Sequence, residues 1–185
     1  MIICAGNIES FDFATPIGIG LIESSINLTQ LVLKNKPKSL LFVGTAGSYG
    51  EYKPLDLIHS NSSTNIETGY FSGSCYTPIS NKVTSKTFNV SCETANNNKI
   101  IINSSNYITT NKQVSEHFLN IGIEAENMEF FSVLTVAKKF KIPAVGIFAI
   151  TNFCDKNAHQ DFIKNHKKAK EILTKKTKEI METYE

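Results

Sequence analysis

Four short stretches carry side chains fit for chemistry at the ends of apolar runs. Glu126-Asn127-Met128-Glu129 leaves one run and opens onto helical spacing at 130–139. A carboxylate there can accept hydrogen bonds from two vicinal hydroxyls, and Met128 offers an adaptable apolar wall. Glu129 equally suits the first turn of a helix, where the dipole favours an acid. Leu40-Leu41-Phe42-Val43 runs into Gly44-Thr45-Ala46-Gly47. Those glycines either let backbone amides approach a ligand closely or make a tight strand-to-turn connection. The spacing is not that of a P-loop, which needs Gly-Lys-Ser/Thr after a longer gap. The run 144–150 ends in Thr151-Asn152, an amide that could face a ring nitrogen or carbonyl, or cap a turn. Asn106-Tyr107-Ile108 follows the run 99–102 and places an aromatic where it could stack on a heterocycle, or pack in a core or dimer interface.

Open α/β sheets put their chemistry at the carboxyl ends of parallel strands, so the elements that must position these residues are strands. The sequence predicts strands at 1–5, 13–19 (broken by Pro16), 39–43, 55–59, 87–92, 99–102, 123–128 and 144–150. The run at 39–43 reads as buried on both faces. Asn96-Asn97-Asn98 reads as a turn. Helical spacing predicts helices at 21–34, with Ile22, Ile26 and Leu33 on the apolar side, and at 112–119, 129–140 and 158–184. The last carries an apolar stripe of Phe162, Ala169, Ile172, Leu173, Ile180 and Met181. Strands alternating with helices predict an α/β fold: a single domain over 1–185, with a mixed, mainly parallel central sheet and helices on both faces.

Bulk properties exclude several classes. A length of 185 residues fits one domain, and 41% apolar with 19% charged residues is ordinary for a soluble globular chain. No run approaches the ~18 apolar residues of a membrane span, and the first residues lack the basic lead of a secretion signal. The net charge is only +2. The lysines crowd into 164–178 as a solvated helix face, without the aromatic interleaving of a nucleic-acid stripe. Cys4, Cys75, Cys92 and Cys154 form no metal-ligand spacing and read as reduced cytoplasmic thiols. The chain contains no arginine.

Taken in order, the glycine-rich stretch after a central strand, the aromatic loop, Met128-Glu129 at a strand end and Thr151-Asn152 after the next strand resemble the purine nucleoside phosphorylase and nucleosidase superfamily. Ile17-Gly18-Ile19-Gly20 is similar to the turn before that family's first long helix, and Lys53-Pro54-Leu55-Asp56-Leu57-Ile58 to the strand after its glycine-rich turn. The resemblance implies that Glu129 holds the ribose hydroxyls and that Met128 packs on the sugar. It implies that Tyr107 stacks on the base beside the Ile108 backbone. Thr45, Ala46 and Gly47 would line the nucleophile side, with Asn152 facing N7 and the six-position. The family's nucleosidases carry a water-positioning glutamate near the N-terminus, where this chain is short, and Glu9 is the one nearby. Phosphorylases of the family grip phosphate with arginines, which lysine replaces poorly. Water is therefore the expected nucleophile. Adenine-directed nucleosidases have aspartate where Asn152 stands, so the pattern is closer to futalosine-hydrolase-like members and a 6-oxopurine base. The expectation is a cytoplasmic, homodimeric purine nucleosidase with no cofactor or metal. A phosphorylase and a catalytically impaired nucleoside-binding member are the alternatives.

Overall fold

The computed structural model describes residues 1–86 and 100–183. At its centre, β3 (Leu40–Ser48) and β9 (Ala144–Phe153) run parallel, from Leu40 opposite Ala144 to Ser48 opposite Phe153. Both strands are apolar without alternation because both faces of the sheet are covered. Phe42 and Phe148 pack on one face with Phe130, at ring-centroid distances of 5.0 to 6.1 Å. Leu41, Val43, Val145 and Ile147 pack on the other. The first face is covered by α1 (Gly20–Asn35) and α3 (Phe130–Phe140), the second by α4 (Ala158–Thr183). Both α1 and α3 stop at a lysine in the left-handed conformation, Lys36 and Lys141, with Pro37 and Pro143 close behind.

The free edge of β3 is shared by two strands. β1 (Ile2–Cys4) lies parallel to its first half and carries β2 (Thr15–Pro16) beyond it. β8 (Ala125–Glu126) pairs antiparallel with its end, through Gly47 opposite Glu126. β7 (Ile101–Asn103), β5 (Ser62–Thr64) and β6 (Lys82–Thr84) extend the sheet from β8, while β4 (Leu57–Ser60) flanks β9. α2 (Lys112–Asn120) follows β7. The nine strands among the described residues form one mixed, mostly parallel sheet with helices on both faces, as the sequence predicts.

Several expectations change in detail. Gly44-Thr45-Ala46-Gly47 is not a turn: β3 continues through it with its ladder to β9 intact, shifting register only between Ala46 and Gly47. The strand expected at 13–19 shrinks to Thr15–Pro16: the Ile17 and Gly18 amides still reach the Cys4 and Ala5 carbonyls at 2.9 Å each, but the chain turns away at Gly18, with φ 95°. The face of α1 is reversed. Gly20, Ser24, Leu28 and Val32 are buried, whereas Ile22, Ile26 and Leu33 are exposed. Small Ser24, whose hydroxyl returns to the Gly20 carbonyl, lets α1 lie close to α3. In α4, Ala169, Leu173 and Ile180 are buried as expected, but Met181 is exposed. β5 and β6 arise from a polar run that gave no strand signal. They are held by hydroxyl bonds such as Ser63 to the Ile102 carbonyl (2.6 Å) and Ser62 with Thr84 (2.7 Å). The strand expected at 87–92 and the turn at 96–98 lie outside the described residues.

Candidate active site

A cavity of about 340 Å³ opens at the carboxyl ends of β3 and β9. Glu9, Thr45, Ala46, Gly47, Tyr107, Ile108, Met128, Glu129 and Asn152 all line it, so the structure brings every candidate site residue together.

Glu9 arrives on a 3-10 turn, Asn7–Glu9, entered through Gly6 at φ 107°. Its carboxylate accepts the Thr45 amide N–H at 3.2 Å and the Thr45 hydroxyl. From α4, Lys170 donates to the Ile8 carbonyl at 3.0 Å, fastening the same turn from outside.

Glu129 is buried at the start of α3. Its Oε1 accepts the Gly20 N–H at 2.9 Å, and the next amide of α1, Leu21, donates to Asn106 Oδ1 at 2.9 Å. Only glycine suits position 20: its φ is 77°, and a Cβ there would stand 2.8 Å from Asn106 Oδ1. Burial pushes the Glu129 carboxyl up to about 7; the Gly20 N–H opposes the shift and the negative Glu9 adds to it. Asn127 aligns this arrangement. Its Oδ1 accepts the Glu129 and Phe130 amides (3.0 and 2.9 Å), capping α3, while its Nδ2 donates to the Thr45 carbonyl at 3.0 Å.

Asn152 is part of β9 rather than a loop beyond it. Its Oδ1 accepts the Thr151 hydroxyl at 2.8 Å and its Nδ2 donates to the Phe153 carbonyl at 3.0 Å. These bonds fix the amide plane and leave one N–H and one lone pair uncommitted. Tyr107, 81% exposed, and Ile108 stand at the mouth rather than in a core.

Sequence reasoning gave no site role to Glu126 or His159 and read Phe162 only as part of the apolar stripe of the last helix, yet all three also line the cavity. The signal for the last two was available. α4 begins six residues after Asn152, so its first turns come back over the strand end, and a spacing of three puts both side chains on one face. The lining holds three carboxylates and, among the described residues, no lysine. Cys4 and Cys154 are buried, Cys75 is exposed, and all three are free thiols; Cys92 lies outside the described residues. No helix among the described residues is long and apolar enough to cross a membrane.

The cavity, with carboxylates and an amide converging on it, sits on a mixed, mostly parallel α/β fold that matches nucleoside phosphorylase and nucleosidase structures. The chain belongs to the phosphorylase superfamily, whose family model matches residues 3–182. Solved structures agree in fold. A point mutant of the Helicobacter pylori nucleosidase MTAN, with 5′-methylthioadenosine in its active site, is 20% identical with a TM-score of 0.76, over 92% of this chain and 79% of that one. Futalosine hydrolase of H. pylori gives 20% identity and 0.76 over 92% and 78%. The 5′-methylthioadenosine/S-adenosylhomocysteine nucleosidase of Neisseria meningitidis, in complex with methylthio-immucillin-A, gives 16% and 0.73 over 92% and 80%. No curated protein matches the chain.

Proposed function

We propose that the protein is a purine nucleoside N-ribosyl hydrolase with a preference for 6-oxopurine bases. The observation that carries the reading is the charge of the cavity: Glu9 and Glu129 face it together, with no lysine lining it among the described residues and no arginine in the chain. A phosphate nucleophile would be repelled there. Neutral water is not, and the Glu9 carboxylate is placed to accept its proton. Ionised Glu129 accepts from the ribose hydroxyls while the sugar gains oxocarbenium character. Met128 packs on the sugar, Tyr107 stacks on the base, and the free N–H of Asn152 donates to the departing purine at its N7 and six-position edge. The nucleosidases similar in fold support the hydrolase part of this reading, since one holds 5′-methylthioadenosine in its active site and another is a futalosine hydrolase.

The working form is proposed as a homodimer, because apolar side chains ring the mouth: Ile8, Ile19, Tyr107 and Ile108 are exposed together with Ile22 and Ile26 of α1. A panel of purine nucleosides assayed for free base, with and without phosphate, tests the function. Release of base and free sugar in phosphate-free buffer is expected. A ribose 1-phosphate product that forms only when phosphate is added overturns the hydrolase in favour of a phosphorylase. Binding without release identifies an impaired member.

A further inference from the structure

Glu126 does not share the surroundings of Glu9 and Glu129. Tyr49, just past β3, donates its hydroxyl to Oε2 at 2.9 Å. Thr109, in the irregular segment between β7 and α2, donates its amide N–H to Oε1 at 2.9 Å. The Thr109 hydroxyl and the Cys154 thiol, just past β9, interact with the same carboxylate. Each carboxylate oxygen thus already accepts an anchored donor, and Glu126 can act through what it holds. Its donors are themselves anchored to α2: the Tyr49 ring stacks on Phe118 at 4.4 Å and 6°, and Ser115 donates to the Cys154 carbonyl at 2.6 Å.

The sheet register shows what this grip would control. Glu126 pairs with Gly47, and Gly47 with Asn152, so the three form one row across β8, β3 and β9 with their side-chain positions on one face. Tyr107 and Ile108 lie between two fastenings, Asn106 on the Leu21 amide and Thr109 on Glu126. We infer that Glu126 is a positioning residue for base recognition: its carboxylate clamps Thr109, and with it the Tyr107–Ile108 segment, at a fixed reach from Asn152. One side of the base subsite is thereby held, by a half-buried carboxylate in the same row as the other. The link to the base rests on the proposed function, whereas the clamp itself does not.

The test joins amide hydrogen exchange over residues 105–111 with steady-state kinetics on inosine. In Glu126→Gln the amide puts an N–H against one of the donors. Exchange at Thr109 should quicken by about tenfold or more, and KM for inosine should rise by a similar factor while kcat changes less than about threefold. Tyr49→Phe keeps the stack on Phe118 and removes one donor, so it should move both readouts the same way by a smaller factor. It carries the test alone if Glu126→Gln does not fold. Unchanged exchange at Thr109 overturns the clamp. Faster exchange with KM unchanged, or a fall in kcat alone, overturns its part in base recognition. If the parent cleaves no nucleoside, the proposed function fails while the exchange measurement still decides the clamp.

Discussion

A carboxyl group that titrates near 7 is held at a cost to the fold, and Glu129 shows where that cost falls with pH. Burial weakens it as an acid, lifting its pKa from an ordinary 4.5, so between about 4.5 and 7 the folded chain binds more protons than the unfolded one. Stability from this group is fully present below about 4.5 and is lost as pH rises through 7, on the order of 3 kcal/mol. Glu129→Gln removes the titration, so its urea midpoint relative to the parent should be higher at pH 8 than at pH 5. An equal offset at both pH values would show that Glu129 does not titrate as described. The same variant should lose roughly 1.5–3 kcal/mol of ribonucleoside binding, through the loss of a charged acceptor; undiminished binding would remove Glu129 from the ribose site. The parent should itself gain kcat/KM as pH rises through about 7, because the ribose hydroxyls need an ionised acceptor. In the proposed reaction, Asn152 is the residue that would carry the choice of base. A 6-oxopurine presents acceptors at O6 and N7, which an amide N–H can serve, while a departing adenine wants a proton that an amide cannot deliver. Asn152→Asp should therefore shift the ratio of kcat/KM for inosine over adenosine towards adenosine, and a parent that already prefers adenosine would show that Asn152 does not read the base.

β3 shows how an element can be recognised in a sequence and still be misjudged in extent. Its apolar run marked a strand buried on both faces, and Gly44 and Gly47 marked an ending, yet the strand runs on to Ser48. The second glycine serves space rather than a turn. A Cβ at Gly47 would stand 3.1 Å from Asn152 Nδ2, on the neighbouring β9, and 2.7 Å from Cys154 Sγ, just past it. Gly47→Ala should destabilise the fold by about 1–3 kcal/mol through overpacking. Adding Cys154→Ala should recover part of it, read as a coupling in a double-mutant cycle by urea denaturation; additive effects would show that the sulfur does not set the limit. Elements with a strong local pattern were legible: β9 and α3 from their apolar runs, and α4 from its stripe. β5 and β6 were not, because hydroxyls hold them to partners distant in sequence: Ser63 and Thr64 of β5 reach β7, 39 residues away, and Thr84 of β6 meets Ser62 of β5, 22 residues away. In the site, Glu129, Met128 and Asn152 were legible because each ends or follows an apolar run. Glu126 was not, since an acid on a short strand gives no hint that a tyrosine, a threonine and a cysteine will converge on it.

For the whole molecule the informative misreading is α1. Ile22, Ile26 and Leu33 have helical spacing and suggested the buried side, but the helix turns Gly20, Ser24, Leu28 and Val32 inward instead. Periodicity could not choose between these faces, because the inward one carries a glycine and a serine that look polar in sequence and serve close approach in the fold. The consequence is an exposed apolar stripe, with Ile22 70% accessible, that continues onto Ile19 beside the cavity mouth. Isolated exposed apolar residues are ordinary on a protein surface, but a contiguous set points to association. Closing a second copy over this face would shield Tyr107 and Ile108 as well and shelter the base side of the cavity from water. If that is the dimer, Ile22→Glu should place a carboxylate in the interface core and yield a monomer in sedimentation velocity, with the monomer's fold intact by circular dichroism. Its KM for inosine should rise by roughly tenfold, the factor that 1.4 kcal/mol of lost binding would give, because the mouth is left open. A parent that sediments as a monomer at the concentration where it is fully active, or a variant that remains dimeric, would place the association surface elsewhere or remove it from the working protein.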